Sequence, residues 1–433
     1  MKTLWTTVLA LLLAALSYAQ SPSFVGEEFR LDTTGATFVV DAEVSSDPAG
    51  NFVAAWDNLA SGRVFARRYQ ADGAPIGNGF QVNTDASYNN TRYPRLDHGS
   101  GGQFVVVWHG GSDGSFTGIE GQRFAADGSR QGEQFQVNSY TSNRQGFPGI
   151  AVGPDGRFVV VWTSNGSYGP DTGYSIQGQL FASNGSTLGG EFQVNSYTTG
   201  YSSSASVDFA PNGEFVVVWQ GSTGSYGPDT DYSIQGRRFT GNAAPIGADF
   251  QVNSYTTDTQ YAPRVATGPS SEFIAVWTSK RGDGTDEFTA SVQGQRFAAD
   301  GTPSGDQFQV NTYTNLLQKR STIAINSEGE FVVTWSSGHP GVVDGGPDGS
   351  FMSIQGQHFA ADAERAGIEF QINTSTVENQ YRSSVASLPN GHFVIAWQDS
   401  RTPRPIRGQR IDTRIFVDGF ESGDVSAWSA ISP

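Results

Sequence analysis

A few side chains break an otherwise regular pattern and are of types that do acid–base or anion-binding chemistry. The chain contains seven related segments. At one equivalent position four of them carry Gly149, Ser206, Thr322 and Ser384, and the other three carry Glu43, Arg95 and Arg264. Two residues further on, Asp97 and Asp208 stand where Ala is usual, and His98 and His109 occur in the second segment alone. Carboxylates beside a guanidinium can hold an anionic sugar or exchange protons with a glycosidic oxygen. The same residue types also serve as ion pairs between neighbouring elements, so both roles are open at Glu43, Arg95, Asp97 and Arg264.

A second set sits in long connections: Tyr168, Asp171 and Tyr174 in one segment, Tyr226, Asp229 and Tyr232 in the next. Tyrosine faces take the C–H side of a sugar ring, and carboxylates take its hydroxyls, so these six are candidate ligand-binding residues. Packing of long connections is the structural alternative. Ca²⁺ is the one cofactor the sequence suggests, at Asp113, Asp171, Asp229, Asp231, Asp283 and Asp348, but no full ligand loop appears and turn formation is the default reading of such aspartates. Tyr140, Tyr197, Tyr255 and Tyr313 recur too regularly to mark a site and read as packing residues. The tripeptide Arg281-Gly282-Asp283 is too short to support an adhesion role.

The elements that must position these residues come from the repeat. Tryptophan recurs at Trp56, Trp108, Trp162, Trp219, Trp277, Trp335 and Trp397, each ending a strand of the type Phe158-Val159-Val160-Val161-Trp162. Such strands are apolar on both faces, so both faces must be covered. A short strand such as Arg264-Val265-Ala266 precedes each one. A third strand of the type Ile-Gln-Gly-Gln-Arg-Phe follows, as at 292–297, and then a fourth of the type Phe-Gln-Val-Asn, as at 250–253. Turns such as Pro154-Asp155-Gly156 and Ala126-Asp127-Gly128 supply the residues that tight hairpins need. The repeated Asn83, Asn138, Asn195, Asn253, Asn311 and Asn373 read as side chains that satisfy backbone groups where the chain leaves the fourth strand.

Counting the strands predicts the architecture. There are seven Trp strands and seven third strands, the last at 406–411, and no Phe-Gln-Val-Asn follows it. The missing copy lies at the other end, in Glu28-Phe29-Arg30-Leu31-Asp32. The prediction is an all-β, seven-bladed β-propeller of four-stranded antiparallel blades, closed by residues 28–32 pairing with 406–411.

Composition is consistent with this. The 433 residues include 54 Gly, only 16% charged residues and no Cys, which suits many short strands joined by turns and rules out disulfide staples. Lys2, the apolar run Leu4 to Leu16 and the small residues Ser17 and Ala19 read as a signal peptide over 1–19. The propeller then spans 20–411, and a tail of unassigned role spans 412–433. No other stretch could span a membrane. The formal net charge of −16 argues against nucleic acid or an anionic lipid surface as partner.

The succession Phe-Gln-Val-Asn-Ser-Tyr-Thr, Asp-Gly-x-Phe-Val-Val-Val-Trp and Ile-Gln-Gly-Gln-Arg-Phe resembles tandem repeats of large secreted bacterial proteins, over about residues 24–411. Some of those also carry RTX calcium-binding nonapeptides. This sequence has no Gly-Gly-x-Gly-x-Asp run, so that calcium chemistry does not carry over. The resemblance implies an exported protein, secreted or held at the cell surface.

The near-uniform segments point to a non-enzymatic binding or surface-interaction protein. It is expected to be a monomer that meets an extracellular glycan or protein on the face carrying the long connections. The alternative is a polysaccharide-acting hydrolase or lyase centred on Glu43, Arg95, Asp97 and Arg264.

Overall fold

A computed structural model describes residues 21–32, 38–84, 91–111, 116–166, 173–197, 200–222, 231–280, 290–339 and 351–414. These residues form seven four-stranded antiparallel sheets and no helix. Six blades run in chain order from the inner to the outer strand. The seventh takes Gln380–Ser387, His392–Asp399 and Ile406–Asp412 from the C-terminal end, and its outermost strand is the N-terminal Ser23–Arg30.

The Trp strands explain the ring. In Phe104–Gly110 every residue is buried. Phe104, Val106 and Trp108 pack with Val53, Ala55 and Val64 of the first blade, while Val105 and Val107 pack with Ile150, Phe158 and Val160 of the third. Alternate side chains of one strand thus feed two interblade cores. All seven strand-ending tryptophans are fully buried.

Closure uses the same chemistry as every other blade. In six blades the column asparagine accepts the amide of the third strand, as Asn138 Oδ1 does from Ile119 at 2.7 Å and Asn253 Oδ1 from Ile234 at 2.7 Å. In the seventh, Asp32 Oδ1 accepts the Ile406 amide at 2.7 Å. Glu28 Oε2 accepts the Thr374 amide of blade six at 3.0 Å, as Glu191 accepts Ser139 elsewhere.

The closing strand begins and ends earlier than the sequence reading. It pairs Ser23 with Asp412 and Phe29 with Gly408, is broken by an irregularity between Val25 and Phe29, and stops at Arg30. Leu31 and Asp32 still bond to Ile406 but lie past the strand. Its first half escaped notice because Gly26, at φ 77°, breaks the alternation there, as Gly77, Gly189 and Gly247 do in other outer strands. The last strand extends to Asp412, and Thr413 and Arg414 still contact Gly391 and Asp412.

Candidate functional site at the propeller axis

The seven inner strands are Val39–Ser46, Arg92–His98, Gln145–Val152, Ser202–Phe209, Gln260–Thr267, Gln318–Ile325 and Gln380–Ser387. Each pairs with its Trp strand through a register shift at the same place, for example between Val40 and Glu43 or between Gly146 and Gly149. The extra residue in every case is left-handed and none is glycine: Asp41, Tyr93, Phe147, Ser204, Ala262, Arg320 and Arg382, at φ between 51° and 58°. Such a conformation costs on the order of 1 kcal/mol per residue and gathers at functional sites. Bulges also re-aim side chains, here toward the axis.

Hydroxyls of the preceding blade hold three of these turns. The Ser204 amide donates to Thr163 Oγ1 at 3.2 Å, Arg320 to Thr278 Oγ1 at 3.1 Å, and Arg382 to Ser336 Oγ at 3.0 Å. In blades one and two the residue after Trp is instead Asp57 or His109. Both are buried; neither His109 nitrogen has a hydrogen-bond partner among the described residues, while the Tyr93 amide of the next bulge favours the charged form of Asp57. Burial, and then the Asp41 carboxylate, push Asp57 up to about 8. Burial pushes His109 down to about 4.

Val39 pairs with Asn58, so the bulge end of the axis opens on the face that carries the second-to-third connections. Three rings descend from that mouth. The bulge residues form the first. Glu43, Arg95, Gly149, Ser206, Arg264, Thr322 and Ser384 form the second, and Asp97 and Asp208 lie in the third. Two chambers of about 250 and 270 Å³ follow one another along the axis, and both are lined by Glu43, Arg95 and Arg264.

The structure therefore brings Glu43, Arg95, Asp97 and Arg264 to one cavity. Arg95 pairs with Glu43 across the first two blades at 3.1 Å, and Arg382 pairs with Asp41 across the seventh and first. No carboxylate pairs with Arg264 among the described residues. Burial, followed by the charge of Arg95, pushes it down to about 10. Arg320 is also lowered, by burial and then by Arg382. The guanidiniums thus crowd one another.

The third-ring carboxylates face backbone. Asp97 accepts the Val152 amide at 2.7 Å and the Ser45 hydroxyl at 3.0 Å. Asp208 accepts the Thr267 amide at 2.7 Å. Burial raises Asp97 to about 6, and burial with the Asp97 charge raises Asp208 to about 7. Asp97 is thus committed to joining blades, and the mouth of the site lies above it.

Of the loop candidates, Tyr168, Asp171, Tyr226 and Asp229 lie outside the described residues, as do Asp113, Asp283, Asp348 and the Arg281-Gly282-Asp283 tripeptide. Tyr174 and Tyr232 pack on either side of Tyr201, with ring centroids 4.7 and 5.9 Å away. Asp231 accepts the Thr259 hydroxyl at 2.5 Å. Among the described residues no three metal-ligating side chains gather, and no helix is long and apolar enough to cross a membrane. Sequence reasoning missed the bulge ring, Asp57 and the role of His109. The available signal was variation: at the bulge position and the one before it no more than two of the seven segments agree, while the Trp strands repeat.

No protein-family model matches the chain, and no curated protein does. Solved structures do. A protein of unknown function from Dyadobacter fermentans is 10% identical over 90% of this chain and 99% of its own, with a TM-score of 0.51. The α-L-arabinanase of Penicillium chrysogenum, solved with arabinobiose, is 12% identical over 90% and 100%, with a TM-score of 0.47. The polysaccharide lyase Uly1 is 8% identical over 92% and 95%, with a TM-score of 0.49. At these identities the likeness is one of fold.

The expectation of a non-enzymatic binding propeller is corrected. The two structures above whose activity is stated are enzymes, an arabinanase and a polysaccharide lyase. The physical reason lies in the geometry. Uniform blades suggested that no repeat was distorted, but every inner strand carries a bulge and the irregular charged residues meet there.

Proposed function

We propose that this chain cleaves an acidic polysaccharide at the loop-face mouth of the axial cavity. One observation carries the reading: among the described residues, Arg95, Arg264, Arg320 and Arg382 line that mouth against Asp41 and Glu43, in a chain of net charge −16. Guanidiniums crowded in a partly desolvated site repel one another, and a bound carboxylate relieves that repulsion. A uronate residue supplies such a carboxylate, whereas a neutral sugar does not.

The same cations favour elimination over hydrolysis. Neutralising a uronate carboxylate acidifies the adjacent C–H. A base removes that proton, the C–O bond to the next sugar breaks, a C=C bond forms, and the leaving oxygen takes up a proton. Tyr93, whose phenol can pass a proton to the leaving oxygen, lines the mouth. Hydrolysis would need a free carboxyl as acid, and Asp41 and Glu43 are each paired with a guanidinium.

The place of action proposed is outside the cell. The leader-like residues 1–19 support it, as does the resemblance of the repeat to secreted bacterial repeats. On this reading residues 20–411 are the working propeller and 412–433 a tail.

The test is turnover of polygalacturonate, alginate and hyaluronan beside neutral arabinan, following reducing ends and the ultraviolet absorbance of unsaturated uronate. Cleavage of a polyuronate with rising absorbance is expected, and it should fall about 100-fold or more in Arg264→Ala. Reducing ends without absorbance would replace elimination by hydrolysis. Cleavage of arabinan alone would overturn the acidic substrate, and no cleavage of any polymer would overturn the enzyme.

A further inference from the structure

From the packing at blades two and three we infer that Tyr93 and Phe147 form a stacking subsite for the apolar face of a sugar ring, propped from below by His109. The inference rests on a saccharide entering the mouth, as proposed above, but it needs no charge on that saccharide.

Phe147 is 39% exposed, in left-handed backbone, at the rim of the cavity. A large ring in a strained conformation that gains little burial is hard to explain by folding alone. The fourth and fifth blades manage with Ser204 and Ala262 at the same place. Tyr93, one blade earlier, lies with its ring centroid 5.0 Å from that of Phe147, so the two form one aromatic surface.

The support beneath is built for them. His109 meets Tyr93 with ring centroids 6.0 Å apart and Phe147 at 6.4 Å, edge to face in both cases. It occupies the place where other blades carry Thr163, Thr278 or Ser336, and neither of its nitrogens has a partner among the described residues. Room for the imidazole comes from Gly146, where a Cβ would stand 2.7 Å from His109 Nδ1. The other blades carry Val40, Arg92, Ser203, Tyr261, Lys319 and Tyr381 there. His109, Gly146 and Phe147 therefore depart from the repeat together.

The subsite faces the cations. Blades two and three bear the aromatic surface, and blades five to seven bear Arg264, Arg320 and Arg382 around the same cavity. A pyranose uronate has one C–H face and one carboxylate edge. The ring face fits Tyr93 and Phe147, which turns the carboxylate toward the guanidiniums.

Calorimetric titration of the full chain with trigalacturonate, a trimer of mannuronate and arabinotriose tests the inference. Phe147→Ala and Tyr93→Ala are each expected to raise Kd about tenfold, with an unchanged melting temperature, and Phe147→Trp should restore binding. His109→Thr, which installs the residue of the third and fifth blades, should raise Kd several-fold without loss of stability. A wild-type Kd for a uronate trimer in both alanine variants would overturn the subsite and leave the acidic-substrate reading standing. Binding of arabinotriose alone, lost in Phe147→Ala, would support the subsite and overturn that reading. No binding of any trimer would overturn both.

Discussion

At the scale of single residues, Asp57 is the most exposed to test. Its carboxyl is buried beside the Asp41 carboxylate, and its folded value of about 8 lies far above the ordinary 3.8 even though the Tyr93 amide favours the charged form. Below about pH 4 both folded and unfolded chains hold the proton, and the group costs little. As pH rises from 4 to 8 the unfolded chain loses its proton first, so folded stability falls across that window. Asp57→Thr installs the side chain that blades three and five use against the next bulge. The variant should gain on the order of 1–3 kcal/mol at pH 8 and much less at pH 4, read from urea unfolding at both pH values. An equal gain at the two pH values would show that ionisation is not the cause. Asp208, at about 7, adds to the same fall. His109 and His98, both lowered to about 4, oppose it by favouring the folded state as pH rises from 4 to 6.5.

At the scale of the element, each blade depends on a close approach between its third and fourth strands. In five blades the glycine opposite the outer-strand Phe leaves no room for a side chain. At Gly178 a Cβ would come 2.6 Å from Phe192 Cζ, and at Gly294 2.6 Å from Phe308 Cζ. Gly178→Ala should therefore destabilise by about 1–3 kcal/mol through overpacking, and adding Phe192→Leu should recover part of that loss. A thermal melt of the single and double variants checks both. The inner strands follow the opposite logic, since their irregularity is what aims side chains. Arg264-Val265-Ala266 read as the whole first strand of blade five. The strand in fact runs from Gln260 to Thr267, and its first half was hidden because the bulge at Ala262 breaks the alternation.

At the scale of the whole molecule, the ring is held by contacts between residues far apart in the chain. The closing core joins Leu31, Val44 and Trp56 to Ala386, Val394 and Ile406. Tyr69 donates to the Leu31 carbonyl at 2.5 Å, and Arg410 donates to the Asp72 carbonyl at 2.6 Å. Deleting residues 21–32 leaves the edge of Ile406–Asp412 unpaired and uncovers that core. The melting temperature should fall by about 10 °C or more. An unchanged melt would mean that the seventh blade does not need its N-terminal strand.

Local pattern carried the blades. Seven Trp strands apolar on both faces demand partners on both sides, tight turns fix strand order, and the absence of a fourth strand after Ile411 requires the chain start to supply one. The asparagine column was legible for the same reason: a side chain bonding 19 residues back within its own blade is a repeat-level event, as from Asn138 to Ile119. The site was legible only as a set of exceptions to the repeat. Glu43, Arg95 and Arg264 could be named from sequence, but not their common cavity, because their meeting depends on each inner strand's depth along an axis that exists only once the ring has closed. The seat of Phe147 on His109, the room left by Gly146 and the burial of Asp57 beside Asp41 belong to contacts between blades. No periodicity within a blade encodes them, so only the tertiary structure could decide them.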